Sequence, residues 1–124
     1  MTERSFEPDA GTSRHLLEVT AHALDGVQVL TLAGEIDFAN KDVLRQGLDS
    51  AAATGPRIVL DLQQVTFMDS SGLNVLIAAH QNATGAGGWL RLAGMPAAVQ
   101  RTVQIVGLDS VIACYDTLPD ALTG

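Results

Sequence analysis

A single cysteine, Cys114, stands in the 124 residues, so no intramolecular disulfide can form. That excludes the cross-linked scaffolds by which small secreted domains make up for a thin core. The thiol lies in an apolar run, Val111 to Tyr115, and reads as inert and buried. Basic residues are also scarce, seven against fourteen acidic ones, for a formal net charge of −7. Long-range repulsion of that sign opposes nucleic acid and anionic membranes, while it permits a partner with a basic docking face. No apolar segment is long enough to span a bilayer. The polar start, Met1 to Arg14, lacks the apolar core of a signal peptide. A cytoplasmic chain with no direct membrane insertion is therefore expected. Motifs are missing too. There is no Gly-x-x-x-x-Gly-Lys-Ser/Thr loop to hold ATP and no Gly-x-Ser-x-Gly elbow of a hydrolase. His15, His22 and His80 are scattered, and no His or Cys cluster accompanies the carboxylates, so neither cofactor nor metal is expected.

What is present suffices for one domain. With 47% apolar residues, the chain can bury a core unaided. Residues 1–14, with Pro8, Gly11 and several charges, read as a mobile tail, leaving 15–124 as the domain. Two strand-like runs flank Asp25-Gly26, a hairpin signal because both residues tolerate positive φ. In the first run Leu17, Val19, Ala21 and Ala23 alternate with polar residues and should form a buried face. The second run, Val27 to Ala33, is apolar on both faces, as in a sheet interior. Val43, Leu44, Gly47, Leu48 and Ala51 recur at helical spacing, and Thr54-Gly55-Pro56 ends that helix. Ile58 to Leu62 is β-branched and nearly all apolar, a central strand joined to the preceding one through a crossover helix and so parallel to it. A second helix over 70–84, a strand at Trp89 to Ala93, a helix opened by Pro96 with a stripe of Val99, Val103 and Val106, a short strand at Val111 to Tyr115 and a last turn capped by Thr117 complete the order. The pattern β-β-α-β-α-β-α-β-α predicts an α/β fold: a mixed sheet of four to five strands with about four helices packed mainly on one side.

The most informative stretch is Phe67-Met68-Asp69-Ser70-Ser71-Gly72-Leu73, where strand character gives way to helical spacing. Two hydroxyls and a carboxylate fall at a helix N-terminus, whose unpaired N–H groups and positive partial charge tolerate a phosphate. A serine there suits reversible phosphorylation, or it serves only as a helix cap. A catalytic set built on Ser70, Asp69 and a histidine is formally available, which keeps a small hydrolase or nucleotide-binding protein as a third reading.

This stretch resembles the phosphorylation-site motif of the STAS domain, the anti-sigma factor antagonist family of bacteria. Gly34-Glu35-Ile36-Asp37 resembles the family's other signature, after the second strand, and the two blocks lie in the expected order. The resemblance spans about residues 16–122 and implies the fold above. It implies a non-enzymatic switch that binds an anti-sigma factor, itself an ATP-binding serine kinase, and so releases a sigma factor, with a serine phosphatase resetting it. Ser70 matches the phosphorylated position, with Ser71 as the alternative. Asp69 either caps the helix or orients the Ser70 hydroxyl, and the resemblance makes it a partner contact. Gly72 either admits a partner's backbone or packs the helix. Glu35 and Asp37 are expected on a loop beside the serine, contributing to the partner surface, with Asp37 or Asn40 also suited to cap the next helix. Ser71 and Asn74 complete the expected partner-binding set. Asn74 stands where a glycine is common in the family, and Phe38-Ala39-Asn40 is undistinctive. The alternative within this fold is a STAS subunit of a membrane lipid ABC transport complex.

Overall fold

The computed structural model describes residues 16–124, so the expected tail at 1–14 and His15 lie outside the described residues. Strands β1 (Leu17–Leu24) and β2 (Val27–Ile36) are followed by α1 (Lys41–Thr54), β3 (Arg57–Met68), α2 (Ser70–Gly85), β4 (Trp89–Ala93), α3 (Ala97–Ile105), a 3-10 turn (Leu108–Ser110), β5 (Ala113–Tyr115) and α4 (Leu118–Thr123). The sheet runs β1-β2-β3-β4-β5, with β1 antiparallel to β2 and every other pair parallel. The hairpin forms where Asp25 and Gly26 both take positive φ, 53° and 82°, the geometry whose twist matches the flanking strands.

One sheet face packs under α1, α2 and α3. Leu30, Leu32, Ile58, Leu60, Leu62, Leu90 and Leu92 meet Leu44, Leu48, Leu76, Val99 and Val103 in one continuous core. Burying each such leucine contributes about 1.5–3 kcal/mol. The other face is covered at one end by α4, where Val29, Val59 and Ala93 pack near Ala121. Arg91 secures that contact. Its guanidinium stacks 3.8 Å from the Trp89 ring and donates through Nη1 to the Ala121 carbonyl at 2.8 Å.

Strand β3 is longer than its clean apolar stretch because its register with β2 shifts twice, between Thr31 and Ala33 and between Gly34 and Glu35. Each shift places an extra β3 residue against β2 and resets the side-chain alternation. Leu62, Val65 and Met68, three apart, therefore all reach the helix-covered core. Gly34 lies at the second shift with φ 119°, and a Cβ there would run into the Leu16 carbonyl.

Some expected core positions are instead exposed. Ala21 and Ala23 lie on the part of the edge strand beyond the helices, whereas Val19 is held against Gly47 of α1. Val43 points away from the α1 core stripe, and Val106 has become the C-cap of α3. The last strand is shorter than expected because Leu108–Ser110 wind into the 3-10 turn that follows Gly107 at φ 77°. Cys114 is half-buried, with its Sγ 3.3 Å from the Ile112 carbonyl. Burial, and then the negative charge of Asp109, push its thiol above the ordinary range.

Candidate functional site

Because β2 and β3 are parallel, both finish at the same end of the sheet, where Ile36 lies opposite Met68. The two sequence blocks are thereby brought side by side. Asp69 leaves β3 in an extended conformation, and its N–H donates to the Ile36 carbonyl at 3.1 Å. Its carboxylate then serves both blocks. Oδ1 accepts from the N–H groups of Ser71 (2.8 Å) and Gly72 (3.3 Å), capping α2. Oδ2 accepts from the Phe38 N–H at 3.3 Å, across 31 residues of sequence.

The connecting loop is ordered by its own side chains. Asp37 Oδ1 accepts from the N–H groups of Ala39 (2.9 Å) and Asn40 (3.2 Å). Asn40 is buried, only 7% exposed. Its Oδ1 accepts from the Asp37 N–H at 2.9 Å and its Nδ2 donates to the Glu35 carbonyl at 2.8 Å. Asn40 occupies the N-cap position of α1, yet makes no side-chain cap bond there, because its amide turns back into the loop. The result projects Phe38 outward, 71% exposed, with the Lys41 ammonium 4.6 Å from its ring centroid.

Ser70 is the first residue of α2 and is exposed. Ser71 is half-buried and lines a cavity of ≈ 330 Å³ between α1 and α2, together with Asn74, Phe38 and Lys41. Gly72 is buried, and a Cβ on it would stand 2.6 Å from Ile36 Cγ2 and 2.8 Å from Met68 Cγ, so close packing requires a glycine here. Asp37 follows β2 as expected. Glu35 does not lie on the loop but is the penultimate residue of β2, opposite Phe67, because the second register shift carries the ladder on to Ile36. The structure thus gathers Asp37, Asp69, Ser70, Ser71 and Asn74 at one end of the sheet, with Glu35 one strand residue behind. Sequence reasoning missed Phe38, and it placed Asn40 as a helix cap without its bonds across the loop. An aromatic residue in an otherwise polar loop was a readable signal for Phe38. For Asn40 the sequence marked the helix start but not the bridging role, whose partners are backbone groups.

Most first-turn amides of α2 are already engaged. Asp69 holds two with its carboxylate, and its carbonyl accepts from the Leu73 N–H at 3.2 Å. A phosphate on Ser70 would meet the Asp69 charge rather than a nest of free donors. Among the described residues, no cluster of three or more His, Cys, Asp or Glu side chains is placed to hold a metal ion. Among them also, no helix is long and apolar enough to cross a membrane.

The STAS domain model matches residues 18–121. The chain belongs to the STAS family. An anti-sigma-F factor antagonist, RsfB, of Mycobacterium tuberculosis is 33% identical over 109 residues, covering 87% of this chain and 88% of the relative. An anti-sigma F factor antagonist of Paenibacillus polymyxa is 33% identical over 100 residues, 79% of this chain and 86% of the relative. The crystal structure of an anti-sigma factor antagonist from Mycobacterium paratuberculosis superposes with a TM-score of 0.80 at 32% identity, covering 87% and 92% of the two chains. The five-stranded STAS sheet, with most of its helices on one face, agrees with the fold expected from the element order.

Proposed function

We propose that this STAS chain is an anti-sigma factor antagonist: a protein-binding switch that sequesters an anti-sigma factor and so frees a sigma factor for transcription. One observation carries the reading. In a chain a third identical to antagonists over most of its length, Ser70 stands exposed at the start of α2, and Asp69 ties that helix to the Asp37–Asn40 loop. The partner is an anti-sigma factor with serine kinase activity, Ser70 is its phosphoacceptor, and a serine phosphatase restores the hydroxyl. The chain itself is not a catalyst. Glu35, Asp37, Asp69, Ser71, Gly72 and Asn74 form or support the docking surface. The reading as a lipid-transporter subunit has no comparable support from the relatives named above.

The mechanism is electrostatic and local. Phosphorylation adds about −1.5 to −2 charge at neutral pH. With Asp69 beside it and the neighbouring amides engaged, that charge faces outward. Docking then sets a dianion against a surface selected for a neutral hydroxyl, adding repulsion and desolvation. A loss of about 2.8 kcal/mol weakens binding roughly a hundredfold. The test is calorimetric binding to the purified anti-sigma factor kinase from the same genome, paired with phosphopeptide mapping. Ser70→Ala should bind but resist labelling. Ser70→Asp should fold normally and bind more weakly. Efficient labelling of Ser70→Ala at another site sinks the phosphoacceptor assignment, and equal affinity of Ser70→Asp and the unmodified chain sinks the charge mechanism.

A further inference from the structure

We propose that the groove between α1 and α2 is a binding site for a small amphipathic carboxylic acid. Its cavity of ≈ 330 Å³ falls within the range of small-molecule sites, about 300–1,000 Å³. The floor is apolar: Leu48 is buried, Val75 and Ala79 are half-buried, and Ala78 stands at the rim. The two ends differ in polarity. Lys41, Arg45 and Ser71 lie where both helices begin, and helix N-termini carry positive partial charge. Asp49 and Asn82 lie at the other end, where the lining continues towards Ala52 and Ala83. An acid therefore has one favoured orientation, with its carboxylate towards Lys41 and Arg45 and its apolar body over Val75 and Ala78.

The existing ion pairs do not block this arrangement. Asp42 pairs with Arg45 and lies 3.7 Å from Lys41 Nζ, but its side chain is 61% exposed, and such solvated pairs contribute little. The guanidinium has five N–H donors and the ammonium three, so both cations keep donors for a second carboxylate on the groove side. Phe38 walls the mouth, with its backbone N–H bonded to Asp69 and its ring beside the Lys41 ammonium. Its ring offers a flat face to an alkyl or aryl body. A ligand so placed touches Ser71 and Asn74, next to Ser70 on α2, and gives a small molecule direct access to the switch surface. The binding claim itself does not depend on that switch.

The test is an NMR titration of the isotope-labelled full chain with phenylbutyrate, phenylbutanol and phenylbutylamine. Phenylbutyrate should give saturable shifts at Lys41, Arg45, Val75, Ala78 and the Asn74 side-chain amide, with the alcohol and the amine binding at least about tenfold more weakly. The Lys41→Gln, Arg45→Gln double variant should weaken the acid by about tenfold, and Ala78→Trp, which fills the groove from its rim, should abolish the shifts. Absence of saturation at millimolar ligand, shifts that map elsewhere, or equal affinity for acid and amine would overturn the proposal. If Ala78→Trp does not fold, the double variant and the amine comparison still decide. None of these readouts involves phosphorylation or an anti-sigma factor, so this site and the switch reading fail or stand separately.

Discussion

Replacing Asp69 by alanine removes three hydrogen bonds at once, two at the start of α2 and one to the Asp37–Asn40 loop. Loss of an N-cap costs about 1 kcal/mol, within a range of about 0.5–2. Removing a carboxylate from a helix N-terminus costs roughly a further 0.3–1 kcal/mol, partly the same interaction. The 3.3 Å bond to the Phe38 N–H is long and lies at the surface, so its loss adds only about 0.5 kcal/mol. Together these give about 2 kcal/mol of destabilisation, or a fall in Tm of roughly 6–10 °C for a domain of this size. Asparagine at the same position separates the two roles. Its carbonyl oxygen can replace Oδ1 as the cap, but its amide presents a donor to the Phe38 N–H, where Oδ2 had accepted. Asp69→Asn should therefore lose about 0.5–1 kcal/mol, with hydrogen exchange accelerated at Phe38 but not at Ser71. Urea denaturation followed by circular dichroism gives the stabilities, and exchange NMR gives the site resolution. If Asp69→Ala is within about 0.5 kcal/mol of the parent chain, or if the asparagine and alanine variants are equally destabilised, the idea of one carboxylate joining the two blocks is wrong.

Gly72→Ala should destabilise by about 1–3 kcal/mol in urea titrations, because its new Cβ crowds Ile36 and Met68; an unchanged midpoint refutes that packing argument. Asn40→Ala should cost about 1–3 kcal/mol, since it strips partners from the Asp37 N–H and the Glu35 carbonyl in a buried setting, and it should broaden the NMR signals of residues 37–40. Arg91→Ala should loosen α4 and speed amide exchange in residues 118–123, while leaving exchange in α2 unaltered. Cys114 should react with iodoacetamide more slowly in the native chain than in urea at mildly alkaline pH. Its folded thiol is raised, so the neutral form is favoured on folding, and that contribution is present at neutral pH and fades as pH climbs through the folded value. Equal labelling rates in the two states would count against burial as the cause.

The fold was legible because period and punctuation agree. Asp25-Gly26, Gly55-Pro56 and Gly107 stand at turns or helix ends, and the apolar stretch Ile58–Leu62 lies at the centre of the sheet. What local pattern could not show was how far the helices reach. Ala21 and Ala23 have the alternation of a buried face, but they lie on an edge strand beyond the covering helices. Nor could it show the two register shifts, which carried Glu35 into a strand and turned Val65 and Met68 inward at a spacing of three. At the site, Ser70 and Asp69 were visible as helix-start chemistry. The bond from the Phe38 N–H to Asp69 depends on two distant segments meeting, which residue spacing does not encode, whereas the Asn40 amide turns back onto backbone groups three and five residues away in its own loop.

The antiparallel first strand has a practical corollary for anyone attaching a label. Leu17 lies opposite Gly34, so Leu16 stands at the end of the sheet that carries the serine. Gly124 shares a cleft with Leu24, Asp25 and Arg57 around the hairpin turn, a full strand length away. A fluorophore or affinity handle joined after Gly124 therefore lies far from Ser70, whereas one joined directly to Leu16 lies at the same end of the sheet as that serine.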